Sequence, residues 1–249
     1  MIRKISGEVI HGEKLGRKLG FPTANVSYSS SDIEDAVFHL NIIVDEKIYS
    51  GMGSHMVKKN VFEAHIFDFD LDIYGENIEI ILLKKIRANR KFGSLDDLVK
   101  QIQADQELIK SQRLHVLTFG SFDHLHEGHG YYLQEARKYG NHLITIVASD
   151  KNITKIKNID PKYRLKERVK ALKDSGFSDE VIPGSDTDPM QWIELYKPHA
   201  ICLGYDQRGP FVERLESEID RLGLSTQIIR IPSHHPDRFK SSLLKNNLG

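Results

Sequence analysis

Two histidines three residues apart, His126 and His129, close a His-x-Gly-His box around Gly128, just after Gly120-Ser-Phe122-Asp123. An apolar run, Leu114 to Phe119, precedes the box, and an amphipathic stretch, Tyr131 to Tyr139, follows it. With the first a buried strand and His129 opening a helix, the two imidazoles stand at i and i+3 on one face. They then lie at the positive end of the helix dipole, where unpaired backbone N–H groups gather anions. This spacing predicts a cradle for a triphosphate, and hence nucleotide chemistry. Lys151, Lys155 and Lys157 are expected on a loop after the next strand, with ammonium groups in reach of phosphates. Arg164 and Arg168, at i and i+4 near a helix start, also fit triphosphate chemistry, with Arg164 a nucleotide-binding candidate, although such a pair is usually a surface pair. Ser241 and Ser242 precede an apolar pair and Lys245, which reads as a helix N-terminus with two hydroxyls facing phosphate oxygens.

A second constellation lies near the start. Gly7, Gly12, Gly16 and Gly20 fall within a short stretch that also carries Arg17 and ends in Pro22-Thr23-Ala24-Asn25. Glycines let backbone N–H groups come close to phosphates. The Thr23 hydroxyl and the Asn25 carboxamide, two residues apart on an expected turn, can supply oxygen ligands to Mg²⁺. A Walker loop is excluded, because no Gly-Lys-Ser/Thr follows the glycines.

The elements that must position these residues change rhythm along the 249-residue chain. Up to about residue 90, short alternating runs recur at Ser6 to Ile10, Val37 to Val44, Lys47 to Gly51, Val61 to Phe67 and Asn77 to Leu83. They predict a small antiparallel β-barrel. A helix is expected from Ser94 to about Ser111, packed on that barrel. From Leu114 strands and helices alternate. Strands are expected at Leu114 to Phe119, His142 to Ala148, Glu180 to Ile182, Ala200 to Leu203 and Thr226 to Ile231. Helices are expected at Tyr131 to Tyr139, Tyr163 to Ser175, Met190 to Tyr196 and Val212 to Leu222. This predicts an α/β chain of two domains, 1–112 and 113–249, the second a Rossmann-like doubly wound parallel sheet.

Composition narrows the class. Thirty-five basic residues balance 35 acidic ones, giving no electrostatic case for nucleic-acid or membrane partners. The single cysteine, Cys202, excludes an internal disulfide framework and reads as a core thiol. No run approaches the ~20 apolar residues of a membrane helix, and the start has no signal-like segment, so a cytoplasmic protein is expected. Oligomeric state is not legible.

Gly120-Ser-Phe-Asp-x-x-His126-x-Gly-His129 resembles the signature of the cytidylyltransferase-like nucleotidyltransferases, and the resemblance runs from about residue 114 onward. Val147-Ala-Ser-Asp-Lys151, Lys155-x-Lys157 and Leu203-Gly204-Tyr-Asp206-Gln207 are most similar to FAD synthases of archaeal type, which join AMP from ATP to FMN. The resemblance implies that His126 and His129 bind the triphosphate and stabilise charge at its α-phosphate. It places Asp206 and Gln207 in the nucleotide or flavin pocket. Glu127 stands where proline is common, and Leu243 where a third hydroxyl is usual.

Residues 5 to 110 resemble riboflavin kinases of bacterial and eukaryotic type, through the glycine-rich run, Phe62-Glu63-Ala-His-Ile-Phe-Asp-Phe69, Leu71-Asp-Ile-Tyr-Gly75 and Ile86-Arg87 with Lys91-Phe92. That resemblance implies that Thr23 and Asn25 bind Mg²⁺–ATP and that Glu63 takes the proton from riboflavin's 5′-hydroxyl. The chain lacks the Pro-x-x-Gly-Val-Tyr pattern around Asp35 to Asn41 and has His55-Met-Val-Lys-Lys59 where Pro-Thr is expected. Together the two resemblances imply conversion of riboflavin to FMN and of FMN to FAD. A CTP-dependent transferase for a small polyol phosphate, with a non-catalytic flavin- or nucleotide-binding first domain, stays open at this stage.

Overall fold

In the computed structural model, which describes residues 2–13, 15–28, 32–56 and 59–233, the chain divides into two compact units, Met1–Gln112 and Arg113–Gly249. Ser241 and Ser242 lie outside the described residues.

The alternating runs of the first unit close into an antiparallel barrel because one face of each must find an apolar partner. The strands are β1 (Arg3–Ile10), β2 (Ala24–Ser27), β3 (Ala36–Val44), β4 (Lys47–Met56), β5 (Val61–Ile66) and β6 (Asn77–Ala88). Their order around the barrel is β1-β2-β5-β4-β3-β6. Val26, Leu40, Ile42, Phe62, Ala64, Ile80 and Leu82 fill the interior. Strand β2 corrects the expected turn at Pro22 to Asn25. At four residues its apolar–polar alternation is too short to stand out in sequence, and it closes the barrel by pairing with both β1 and β5. A one-turn helix, α1 (Leu15–Lys18), interrupts the glycine-rich run.

Helix α2 (Leu95–Ser111) starts where Ser94 accepts a hydrogen bond from the Asp97 N–H. Its Ile102 and Ile109 pack against Val37, Met52 and Phe67 on the barrel's outside. This covers the outward side of β3 at Val37. The Arg87 guanidinium reaches Asp105 on the same helix at 2.8 Å.

In the second unit, β7 (His115–Gly120), β8 (His142–Val147), β9 (Glu180–Pro183), β10 (Ala200–Gly204) and β11 (Gln227–Ile231) form a parallel sheet ordered β11-β10-β7-β8-β9. The order reverses between β7 and β10, and ligands of such sheets bind beyond the carboxyl ends at that point. Helices α3 (Glu127–Arg137), α4 (Asp150–Lys157), α5 (Leu165–Ser175), α6 (Gln191–Tyr196) and α7 (Pro210–Arg221) connect the strands. Cys202 is fully buried in β10, and desolvation pushes its thiol well up.

Two departures from the sequence reading matter for chemistry. Helix α3 begins at Glu127 with His126 as its N-cap residue, so His129 lies in the first turn rather than opening it. The expected lysine loop is α4, started by Ser149, whose hydroxyl accepts from the Asn152 N–H. A short polar helix with few apolar residues gives little periodic signal.

Candidate active sites

In the second unit, β7 and β10 stay in register from Val116/Ala200 to Thr118/Cys202 and then separate. The Gln207 carboxamide fills the split: its Nε2 donates to the Phe119 carbonyl at 2.5 Å, and its Oε1 accepts from the Gly204 N–H at 2.9 Å. The Arg230 guanidinium donates to the carbonyls of Gly204 and Gln207 from the other side. Beyond this wedge opens a cavity of about 440 Å³.

His126 and His129 line that cavity with their rings stacked, centroids 3.9 Å apart and planes 26° from parallel. Stacking follows from the i, i+3 spacing once the helix starts at Glu127. The N-terminus of α3 carries no side-chain cap, which leaves its first N–H groups for a ligand. Burial lowers both imidazoles below the usual histidine range, His129 to about 3; His124 adds to the depression at His126, and His126 to that at His129. The Lys157 ammonium adds to the depression at His129. Two neutral rings at neutral pH therefore border the uncapped helix end, with Lys157 donating to the Ser121 hydroxyl at 3.0 Å.

Phe122 packs between these parts. Its ring is buried, lies 5.1 Å from that of His129, and crosses so close to Gly120 that a Cβ there would meet it at 2.7 Å. Gly120 is thus required for room. The cavity's far walls are apolar and aromatic, with Phe119, Ile153, Ile156, Trp192, Tyr205 and Phe211.

Of the residues singled out from the sequence, Gly120, Phe122, His126, Gly128, His129, Lys157, Gly204, Asp206 and Gln207 meet in this cavity. Five others are placed elsewhere. Lys151 and Lys155 fall on the side of α4 away from Asn152, Ile153, Ile156 and Lys157, because the segment is helical and not a loop. Arg164 is exposed beside Asp150. Asp123 spends both carboxylate oxygens on the N–H groups of Lys162 and Tyr163. Arg168, expected at the surface, is 1% exposed. Trp192, Tyr205 and Arg208 went unread, since single aromatic or basic residues on helices and loops carry no spacing signal.

In the first unit, Asn25 of β2 pairs in register with Glu63 of β5, so both side chains leave the same face of the barrel wall. Asn25 is nonetheless buried, because the glycine-rich segment covers it: a Cβ on Gly12 would lie 2.3 Å from its Nδ2. A Cβ on Gly16 would meet the Phe21 carbonyl at 2.3 Å and Thr23 at 3.4 Å, and Gly20 takes a φ of 86° after α1. Gly12 and Gly16 therefore serve close packing within the chain, a reason different from the phosphate approach read from sequence. Arg17 is exposed on α1. Burial holds the Glu63 carboxyl above the usual range; Lys59 opposes this, and Glu13 adds to it.

His65, two residues beyond Glu63, was not singled out. Its Nδ1–H donates to the Pro22 carbonyl at 2.8 Å, next to Thr23, and its ring meets Phe21 and Phe67 edge-on. The alternation of β5, with Glu63 and His65 outward, was the available signal. Thr23, just before β2, and Asn25 on that strand carry the hard oxygens suited to Mg²⁺. No group of three or more His, Cys, Asp or Glu able to hold a metal unaided occurs among the described residues. A metal here would share its coordination with phosphates. No helix among the described residues is long and apolar enough to cross a membrane.

Comparison with known proteins matches residues 2–112 to the riboflavin kinase family and residues 117–247 to the cytidylyltransferase-like family. An RNA-binding riboflavin kinase, RibR, of Bacillus subtilis is 43% identical over 108 residues, 41% of this chain and 47% of the relative. An FAD synthase of Methanosarcina acetivorans is 41% identical over 118 residues, 47% of this chain and 76% of the relative. A bifunctional riboflavin kinase/FMN adenylyltransferase of Buchnera aphidicola is 40% identical over 116 residues, 43% of this chain and 37% of the relative. The chain thus spans about half of the first of these and three quarters of the second.

Proposed function

The chain belongs to the cytidylyltransferase-like family, and from that premise we propose that its second unit transfers AMP from ATP to FMN, giving FAD and pyrophosphate, while its first unit phosphorylates riboflavin to FMN. The observation that carries this is the pair of stacked, neutral imidazoles at the uncapped start of α3, inside a cavity with an aromatic wall. Both a triphosphate end and a planar ring system find complementary surfaces there. The relatives named FAD synthase and bifunctional riboflavin kinase/FMN adenylyltransferase support the pairing of the two activities.

In the adenylyl transfer, an oxygen of the FMN phosphate forms a bond to the α-phosphorus. The bond from that phosphorus to the oxygen bridging the β-phosphorus breaks, and the electron pair leaves with pyrophosphate. The attacking phosphate is already ionised, so no base is needed. Catalysis is positioning and charge stabilisation. His126, His129 and the first N–H groups of α3 donate to the phosphate oxygens, and Lys157 neutralises the polyphosphate. As phosphates approach, their charge favours the protonated rings and opposes the depression that burial causes.

At the first site, Glu63 accepts the proton of the 5′-hydroxyl as that oxygen bonds the γ-phosphorus and ADP leaves. A carboxylate made more basic by burial suits this role. Mg²⁺, held through Thr23, Asn25 and the phosphates, supplies charge neutralisation when bound.

The test is incubation with Mg²⁺, ATP and either riboflavin or FMN, with the flavins resolved chromatographically. FAD from FMN, and FMN from riboflavin, are expected. FAD without FMN formation would reduce the first unit to a binding domain. Pyrophosphate from CTP and a polyol phosphate, with no FAD, would replace the flavin reading with the cytidylyl alternative.

A further inference from the structure

We infer that Asp123 and Arg168 are positioning residues that staple the loop after β7, so that Phe122 holds the His129 ring against His126. Neither residue needs to touch substrate for this. The kinetic consequence rests on the adenylyl-transfer reading above, whereas the positioning itself is measurable without turnover.

The staple has two sides. Asp123 Oδ2 and Oδ1 accept from the N–H groups of Lys162 and Tyr163, each at 3.0 Å. Arg168 closes the other side. Its Nη1 donates to the Ser121 carbonyl at 2.5 Å and its Nε to the Tyr163 carbonyl at 3.0 Å. Its Nη2 donates to the Ala148 carbonyl at 2.8 Å and to Asp150 at 2.7 Å, at the junction of β8 with α4. A guanidinium that is 1% exposed, with three backbone carbonyls and one carboxylate around it, is committed to this frame. Residues 121 and 123 are therefore tied to the turn before α5 from both ends.

Between the two ties stands Phe122, in the left-handed region at φ 47°. An aromatic residue there is strained and persists only when its surroundings over-determine it. The strain has a geometric yield: it turns the ring over Gly120 and onto His129, 5.1 Å away, which in turn stacks on His126 at 3.9 Å. The charged or titratable groups acting on His129 are His126 and His124 from its own segment and Lys157 from α4. Loosening Phe122 would hydrate His129 and free it from that arrangement. The same junction sets the start of α4, whose Lys157 reaches Ser121.

The experiment compares Asp123→Asn and Arg168→Lys with the unaltered protein, with Phe122→Leu as a third variant that loses the flat ring but keeps apolar volume. The His129 ring proton is followed by NMR across about pH 2 to 8, and FAD formation is measured at varied ATP and Mg²⁺. The titration midpoint of His129 is expected to rise by about one pH unit or more. Turnover should fall by about tenfold or more, with smaller changes in KM for ATP. An unchanged His129 titration in folded Asp123→Asn and Arg168→Lys protein would overturn the inference. So would a shifted Mg²⁺ requirement in Asp123→Asn with His129 unmoved, which would make Asp123 a ligand. If Asp123→Asn does not fold, Phe122→Leu carries the same titration test. If the unaltered protein makes no FAD, the proposed function fails while the titration still decides the staple.

Discussion

Glu63 and His129 show how one property, burial, tunes two residues in opposite senses. Desolvation raises the Glu63 carboxyl and lowers the His129 imidazole, because in each case it disfavours the charged form. For Glu63 we expect Glu63→Gln to cut FMN formation from riboflavin by about two orders of magnitude or more and to leave FAD formation from FMN unchanged. Equal loss of both in a coupled flavin assay would contradict separate sites. For His129 the consequence is a stability profile. Its folded value of about 3 lies below the unfolded one near 6.5, so between those limits the unfolded chain binds more protons. Stability is therefore full above about pH 6.5 and is lost as pH falls toward 3, by at most about 1.4 kcal/mol per pH unit from this residue. Denaturant unfolding of His129→Asn at several pH values should show a shallower slope. An identical slope would refute the depression.

At the scale of elements, helix ends and helix faces decide what can reach the cavity. Helix α4 turns Lys157 inward and Lys151 and Lys155 outward, so Lys157→Ala should weaken adenylyl transfer far more than Lys151→Ala. Comparable losses in initial rate would mean that helical phase does not sort these lysines. Helix α2 tests the packing of the first unit. Ile109 is fully buried against Val37, Met52 and Phe67, and Ile109→Ala should cost about 2–5 kcal/mol in urea unfolding of that unit. A loss under about 1 kcal/mol would show that the site collapses to fill the gap.

At the scale of the molecule, each unit carries its own core and its own candidate site. If the two reactions are separate, FMN made by one molecule can be used by another. An equimolar mixture of Glu63→Gln and His126→Ala proteins should therefore form FAD from riboflavin, although neither does alone. Failure of the mixture, with each remaining half-reaction intact, would mean that FMN does not leave the molecule that makes it.

Long-range periodicity was the readable part. The alternation in the first unit and the strand–helix rhythm from Leu114 specify a barrel and a parallel sheet, because each element must bury one face or both. Local spacing likewise set His126 and His129 on one helical face. Other features depend on partners distant in sequence. Strand β2 is four residues long, too short for its alternation to be told from a turn; only its pairing with β1 and β5 makes it a strand. Arg168 looks like a surface residue until the carbonyls of Ser121, Ala148 and Tyr163 converge on it. Nothing near Gln207 in sequence shows that its carboxamide bridges the parting of β7 from β10 through two backbone partners. The sequence by itself determined which residues could do chemistry and the order of most of the strands and helices around them. Which of them face a ligand, and which hold the frame, was decided by tertiary structure, since a polar side chain takes whatever hydrogen-bond partners folding brings to it.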